Sequence, residues 1–112
     1  MARVQGIPFV MLRMETIMQG SEIQCVAETF RELTEEQNTR RLVVDFRSVY
    51  YFSSQMLSLL IDLNRKIEEA GGKLILMGLH PRLWELFRIT GIEKFFTFAP
   101  TEQLALMYLK DE

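Results

Sequence analysis

Two adjacent serines, Ser53 and Ser54, are the side chains of this sequence best placed for chemistry. They follow an apolar stretch that ends at Phe52 and precede a run with helical spacing, so both hydroxyls fall where a helix should begin. A serine at this position caps a helix by accepting a backbone N–H bond. The same hydroxyl could carry a phosphate, which the positive end of the helix dipole would stabilise. The residues alone leave both interpretations open.

Other side chains with catalytic or metal-binding capacity are few. His80 is the single histidine and precedes Pro81, which favours a role as a helix N-cap. Cys25 is the single cysteine, so we predict an exposed thiol without a disulfide partner. Asp45 ends an apolar run and is predicted to bind backbone groups of the following loop. Since nucleophilic catalysis needs a base beside the nucleophile, we predict no enzyme and no cofactor.

Composition restricts the function class further. Hydrophobic residues make up 48% of the 112 residues, enough for one core, and the net charge of -2 gives no basic face for nucleic acid. The longest uncharged run, residues 48–61, is shorter than the roughly 20 residues that a membrane span needs. We therefore predict one domain over residues 1–112, cytoplasmic, with no nucleic-acid partner and no direct membrane insertion.

The hydrophobic pattern predicts alternating strands and helices. Apolar runs predict strands at 8–14, 42–46, 73–79 and 94–98, and helical spacing predicts helices that begin near residues 21, 53 or 54, 81 and 101. Ser21 and Gln24 match a capping box at the first helix. The central runs are apolar throughout, which is typical of strands buried on both faces of a parallel sheet. The order favours an α/β fold with a mainly parallel sheet.

Three large side chains fall outside the predicted core stripes of the second and third helices. Leu57 and Ile61 lie off the stripe of the second helix, and Trp84 lies off the stripe of the third. Large apolar side chains at partly exposed positions are favoured anchors for protein partners. We predict that Trp84 is exposed or half-exposed, whereas a neighbouring element could cover Leu57.

The chain resembles the STAS domains, whose single-domain members include the bacterial anti-sigma factor antagonists. The resemblance rests on three stretches that align without a gap from about Leu42 to Leu106: LVVDFRSVYYFSSQMLSLL, EEAGGKLILMGLHPRLWELFRITGIEKFF and TEQLAL. It implies a mixed, mainly parallel sheet of four to five strands, with about four helices packed mostly on one face. It also implies a non-enzymatic protein-interaction module that acts in partner-switching regulation of transcription.

The same resemblance defines the expected site. In similar proteins, the unmodified domain binds an anti-sigma factor that is also a serine kinase, and phosphorylation of one serine breaks this complex. The acceptor lies in a pattern like Asp-Ser-Ser-Gly-Leu-Gly, which falls on residues 53–58 here. Ser53 replaces the aspartate, Ser54 keeps the first serine and Gln55 replaces the usual acceptor.

The resemblance therefore implies a STAS module that has lost its usual acceptor. Ser54, or Ser53 if the pattern is shifted by one residue, remains as a candidate acceptor. The partner-binding residues implied by the helix start and by the off-stripe positions are Ser53, Ser54, Gln55, Leu57, Ile61 and Trp84.

Two other functions and one assembly stay open. Small STAS proteins also serve as accessory subunits of membrane transporters, such as lipid or anion transport ATPases, where no phosphorylated serine is required. A small-molecule or nucleotide-binding domain is the other alternative, although the sequence lacks a cluster of titratable residues for it. A homodimer is compatible with all three functions.

Overall fold

The computed structural model describes residues 2–4, 6–17, 20–36 and 39–110, so the ends of the predicted domain at 1, 111 and 112 lie outside the described residues. The strands are β1 (Ala2–Val4), β2 (Ile7–Met11), β3 (Thr16–Ile17), β4 (Arg41–Asp45), β5 (Tyr51–Phe52), β6 (Lys73–Met77) and β7 (Thr97–Ala99). The helices are α1 (Ser21–Arg31), α2 (Ser54–Glu69), α3 (Pro81–Thr90) and α4 (Glu102–Lys110). A π-helical turn (Glu32–Glu36) extends α1, and a short 3-10 helix (Glu93–Phe95) precedes β7.

Five strands form one sheet in the order β1-β2-β4-β6-β7. β1 pairs antiparallel with β2, and the other neighbours are parallel. β3 and β5 form a separate two-stranded parallel sheet that the sequence pattern did not predict. The predicted fold class, an α/β fold with a mainly parallel sheet of four to five strands, is confirmed.

Both faces of the sheet are covered, because the central strands are apolar at successive positions. Leu42 and Val44 of β4 face the core under α1, α2 and α3, whereas Val43 faces the core under α4. The helix side chains in the first core include Val26, Phe30, Met56, Leu60, Leu63, Ile67, Leu83 and Phe87. Those of the second core are Ala105, Leu106 and Leu109. Three helices on one face and one on the other confirm the predicted packing.

The start of α1 differs from the prediction. Ser21 is the first helical residue and not the cap, so the predicted capping box of Ser21 and Gln24 is wrong. Gly20 holds the N-cap position with φ 72°, a backbone conformation that glycine adopts without a steric penalty. Its carbonyl oxygen accepts the N–H of Gln24 at 3.1 Å, which begins the helix without a side-chain cap.

Other strand boundaries also differ, since β6 ends at Met77 and not at residue 79. β2 ends at Met11 and not at Met14, and the strand predicted at 94–98 begins only at Thr97. Before it, the N–H groups of Phe95 and Phe96 donate to the carbonyls of Ile92 and Glu93, which closes a 3-10 turn. In addition, Asn64 Nδ2 on α2 donates to the Phe95 carbonyl at 2.9 Å, so this carbonyl bonds to a helix and not to the sheet.

Candidate interaction site at the start of helix α2

The chain reaches the start of α2 from a buried anchor. Phe52 in β5 is buried, and its ring packs edge-to-face with Phe46 and Phe87 at centroid distances of 5.9 and 6.0 Å. The next residue, Ser53, donates its backbone N–H to the carbonyl of Ile17 at 2.9 Å. The position of the first turn of α2 is therefore set by a packed core and by the small β3–β5 sheet.

Ser53 occupies the N-cap position of α2 with an extended backbone (φ -83°, ψ 172°). Its carbonyl oxygen accepts the N–H of Met56 at 3.0 Å, which begins the helix. Within the described part of the chain, its hydroxyl makes no capping bond to the helix. The predicted cap position is confirmed, but the side-chain cap is wrong, because the backbone of Ser53 alone begins α2.

Ser54 and Gln55 are the exposed side chains of the first turn. The described first turn of α2 contains no Asp or Glu, so no acidic side chain there offsets the positive end of the helix dipole. A phosphate on the Ser54 hydroxyl would lie beside this positive end. Gln55 is equally accessible but carries an amide in place of a hydroxyl.

Leu57 and Ile61 differ in burial although they lie on the same side of α2. Leu57 is half-buried and packs against the core beneath α1, α2 and α3. Ile61, one turn further on, is 45% exposed. Ile61 is therefore the accessible apolar side chain of this flank, whereas Leu57 belongs to the packing of α2 on the core.

Trp84 lies on α3, where it is half-buried as predicted. Its indole packs edge-to-face on Phe98, with ring centroids 4.8 Å apart. It borders an apolar cavity of about 230 Å³ at the ends of β6 and β7. The cavity is lined by Leu76, Leu79, Trp84, Phe98, Ala99 and Pro100.

A contact between Tyr50 and His80 links the start of α2 to the start of α3. The two rings pack edge-to-face at 5.0 Å. His80 is the N-cap of α3, as predicted, and its Nδ1 accepts the N–H of Arg82 at 3.3 Å. Tyr50 and Tyr51 precede Ser53 and are 47% and 37% exposed. Neither tyrosine was predicted from the sequence as a site residue, although both lie between the buried residues 49 and 52 and carry a polar phenol group.

Asp45 has the structural role that its position predicts. It is 2% exposed at the end of β4, and its Oδ1 accepts the backbone N–H of Arg47 at 2.9 Å. Its Oδ2 also accepts from the Arg47 guanidinium at 2.8 Å. Hydrogen bonding to Asp45 and its negative charge raise the pKa of Arg47. Both carboxylate oxygens are thus occupied by one neighbouring residue.

Within residues 2–4, 6–17, 20–36 and 39–110, no three or more His, Cys, Asp and Glu side chains form a group that could hold a metal ion. No helix in these ranges is long and apolar enough to cross a membrane. Cys25 is exposed, as predicted.

A family model for the STAS domain matches residues 1–105, nearly the whole chain. The chain belongs to the STAS domain family. The start of α2 in this STAS domain is therefore the segment in which the resemblance located the acceptor pattern.

Solved structures with the same fold include anti-sigma factor antagonists and a transporter domain. An anti-sigma-factor antagonist STAS domain protein from Planctomyces limnophilus aligns with a TM-score of 0.74 and 24% identity, over 85% of this chain and 80% of that one. The phosphorylated Bacillus cell fate determinant SpoIIAA aligns with a TM-score of 0.68 and 16% identity, over 89% of this chain and 87% of that one. The STAS domain of a SulP transporter from Vibrio cholerae aligns with a TM-score of 0.75 and 15% identity, over 99% of this chain and 89% of that one. At these identities, the similarity shows the fold alone.

This STAS domain places the six candidate residues in two groups. The first follows the start of α2 and contains Ser53, Ser54, Gln55, Leu57 and Ile61. Trp84 lies apart on α3, and Tyr50 and His80 lie between it and the first group. Trp84 is joined to the segment before α2 through His80, whose ring contacts Tyr50 and whose carbonyl accepts the Trp84 N–H at 3.0 Å.

Proposed function

We propose that this STAS domain is a non-enzymatic interaction module that binds an anti-sigma factor of the serine-kinase type in a partner-switching system. The observation that carries the proposal is the exposed first turn of α2, where Ser54 and Gln55 face solvent above a buried anchor. The Planctomyces limnophilus antagonist domain, which shares the fold, supports this setting.

Gln55 determines how this module would be regulated. Its amide cannot accept a phosphoryl group as a serine hydroxyl does, so the usual trigger is absent from its usual position. A phosphate there would add about 1.5 to 2 negative charges to the contact surface. We propose that the domain binds its partner whether or not the kinase has ATP, with Ser54 as the remaining exposed hydroxyl of this turn.

Replacing Ile61 with glutamate is expected to reduce partner binding by about tenfold or more, since a charge would replace an apolar contact on the proposed surface. The fold should survive, because Ile61 is 45% exposed. The measurement is affinity capture from the native host with quantitative mass spectrometry of the captured anti-sigma factor. Circular dichroism melting checks that the variant is folded.

Ile89 provides the matched control for this variant. It is also an exposed isoleucine on a helix, 76% accessible on α3, and lies outside the proposed surface. Ile89→Glu should capture as much anti-sigma factor as the wild type. Equal capture by the Ile61 variant, or equal loss by both variants, would show that the flank of α2 is not the contact surface.

The second candidate is an accessory subunit of a membrane transporter. It is favoured by the likeness to the SulP transporter STAS domain, which aligns over 99% of this chain. A transporter contact does not require a phosphorylated serine, which fits Gln55. In the same capture experiment, recovery of a transporter subunit in place of an anti-sigma factor would select this function.

A further inference from the structure

A cleft lies between α1 and α2, the two neighbouring helices on the first core. Its volume of about 410 Å³ falls within the roughly 300 to 1,000 Å³ of typical small-molecule sites, toward the lower limit. The floor is apolar, with the half-buried Ala27 and Leu59 beside the buried Phe30 and Leu63. None of the six candidate partner-binding residues lines this cleft. It is therefore a separate feature of the domain.

The two helices that form the cleft run in the same direction. α1 connects β2 to β4, and α2 connects β4 to β6. Because these strands are parallel and both helices cover the same face, each helix runs back against the strands. The lining begins at Gln24 on α1 and at Leu59 on α2, and Arg31 and Lys66 lie seven residues after these positions. On each helix a carboxylate of the lining comes before this cation, so the cleft has an acidic half toward the helix starts and a basic half toward the helix ends.

The charges of the cleft are balanced in number but separated in space. The acidic half contains Glu28 and Asp62, and the basic half contains Arg31 and Lys66. Among the residues that the structure describes, no ion pair joins α1 to α2. Asp62 pairs with Lys66 at 3.3 Å and with Arg65, but on the exposed surface of its own helix, where such pairs contribute little stability. The lining thus favours a ligand that carries both charges and no net charge.

We infer that this cleft binds a small zwitterion, with its ammonium group in the acidic half and its carboxylate in the basic half. On each helix the carboxylate and the cation are three or four residues apart, which is about 4.5 to 6 Å along the axis. A linear amino acid with its charged groups this far apart, such as γ-aminobutyrate or δ-aminovalerate, matches that spacing. Its methylene groups would lie on the apolar floor. The site goes beyond the proposed function, because the proposed partner contact does not use this surface.

Titration of the full chain with linear amino acids of increasing length, followed by NMR of the backbone amides, tests this inference. The series runs from glycine to ε-aminocaproate. Binding should be tightest for γ-aminobutyrate or δ-aminovalerate, and the shifted signals should map to residues 24–34 and 59–66. Butyrate and butylamine, which each lack one of the two charges, should bind at least about fivefold more weakly. Binding should also weaken as salt rises, because exposed charges are screened.

Arg31→Gln should weaken the binding of δ-aminovalerate by about fivefold, because it removes one charge of the basic half. Arg88→Gln is the matched control and should bind within about twofold of the wild type. Both arginines are exposed and lie in the last turn of their helices, but Arg88 lies on α3, outside the cleft. The inference is overturned if no compound of the series binds at roughly millimolar concentration, if butyrate and butylamine bind as tightly as the zwitterions, or if the two arginine variants behave alike.

Discussion

Replacing Phe87 with alanine is expected to lower the free energy of unfolding by about 3 to 5 kcal/mol. Phe87 on α3 is fully buried, and its ring packs edge-to-face with those of Phe52, Phe96 and Phe98 at 6.0, 5.5 and 5.4 Å. Alanine would leave a cavity where β5, α3 and β7 meet, and the surrounding rings can collapse into it only in part. Urea denaturation followed by circular dichroism measures this loss.

Phe95→Ala is the matched control for the Phe87 variant. Phe95 lies in the 3-10 helix and is 60% exposed, so its truncation removes little buried surface. A loss below about 1 kcal/mol is expected for this variant. Similar losses for the two variants would contradict the assignment of Phe87 to the centre of the core. Because Phe52 directly precedes Ser53, the Phe87 variant should also weaken partner capture.

Replacing Gly72 with alanine is expected to destabilise the domain by about 3 kcal/mol through overpacking against backbone. An added Cβ would lie 2.0 Å from the carbonyl oxygen of Arg40, and neither atom belongs to a flexible side chain. The same oxygen accepts the N–H of Lys73 at 2.7 Å, at the beginning of the β4–β6 pairing. Relieving the clash would break this bond. Thermal and urea unfolding measure the effect.

Gly71→Asn separates the clash from the loss of glycine flexibility. Gly71 has φ 78°, and an added Cβ would meet no described atom within 4 Å. Asparagine tolerates this left-handed conformation, so a loss of no more than about 1 kcal/mol is expected. If Gly71→Asn is as destabilising as Gly72→Ala, the Arg40 contact is not the cause.

The parts of the fold that local chemistry determines were predictable from the sequence. β4 and β6 are apolar runs, and α3 has His80 before Pro81 at its start and Gly91, with φ 75°, at its end. In these elements, the local pattern predicted each boundary to within two residues, so little information from distant residues was needed.

The missed features depend on contacts between segments that are distant in the sequence. β5 pairs with β3 over a separation of about 35 residues, and only two residues of each strand take part. The carbonyl of Phe95 bonds to Asn64 on α2, which no local pattern could indicate. At the start of α1, a serine next to Gly20 gave a false cap, because the backbone of Gly20 alone begins the helix.

In the candidate site, too, some features follow from the local sequence and others depend on contacts between distant segments. The helix periodicity indicated Leu57 and Ile61 together, but only the packing of α2 on the core separates the half-buried leucine from the exposed isoleucine. The ring contact between Tyr50 and His80 joins segments 30 residues apart. The accessibility of Ser54 and Gln55, in contrast, follows from their position in the first turn of an amphipathic helix.

The most direct test of the central claim measures the effect of ATP on the complex with the captured anti-sigma factor. Wild-type domain and Gln55→Ser are each bound to the purified partner and incubated with ATP and Mg²⁺. Retention of the complex and phosphate on peptide 48–65 are then measured by mass spectrometry. We predict that the wild type stays bound and unmodified, whereas Gln55→Ser is phosphorylated and released. Phosphorylation of wild-type Ser54 with release of the partner, or the same retention for both proteins, would contradict the claim that Gln55 has removed the switch.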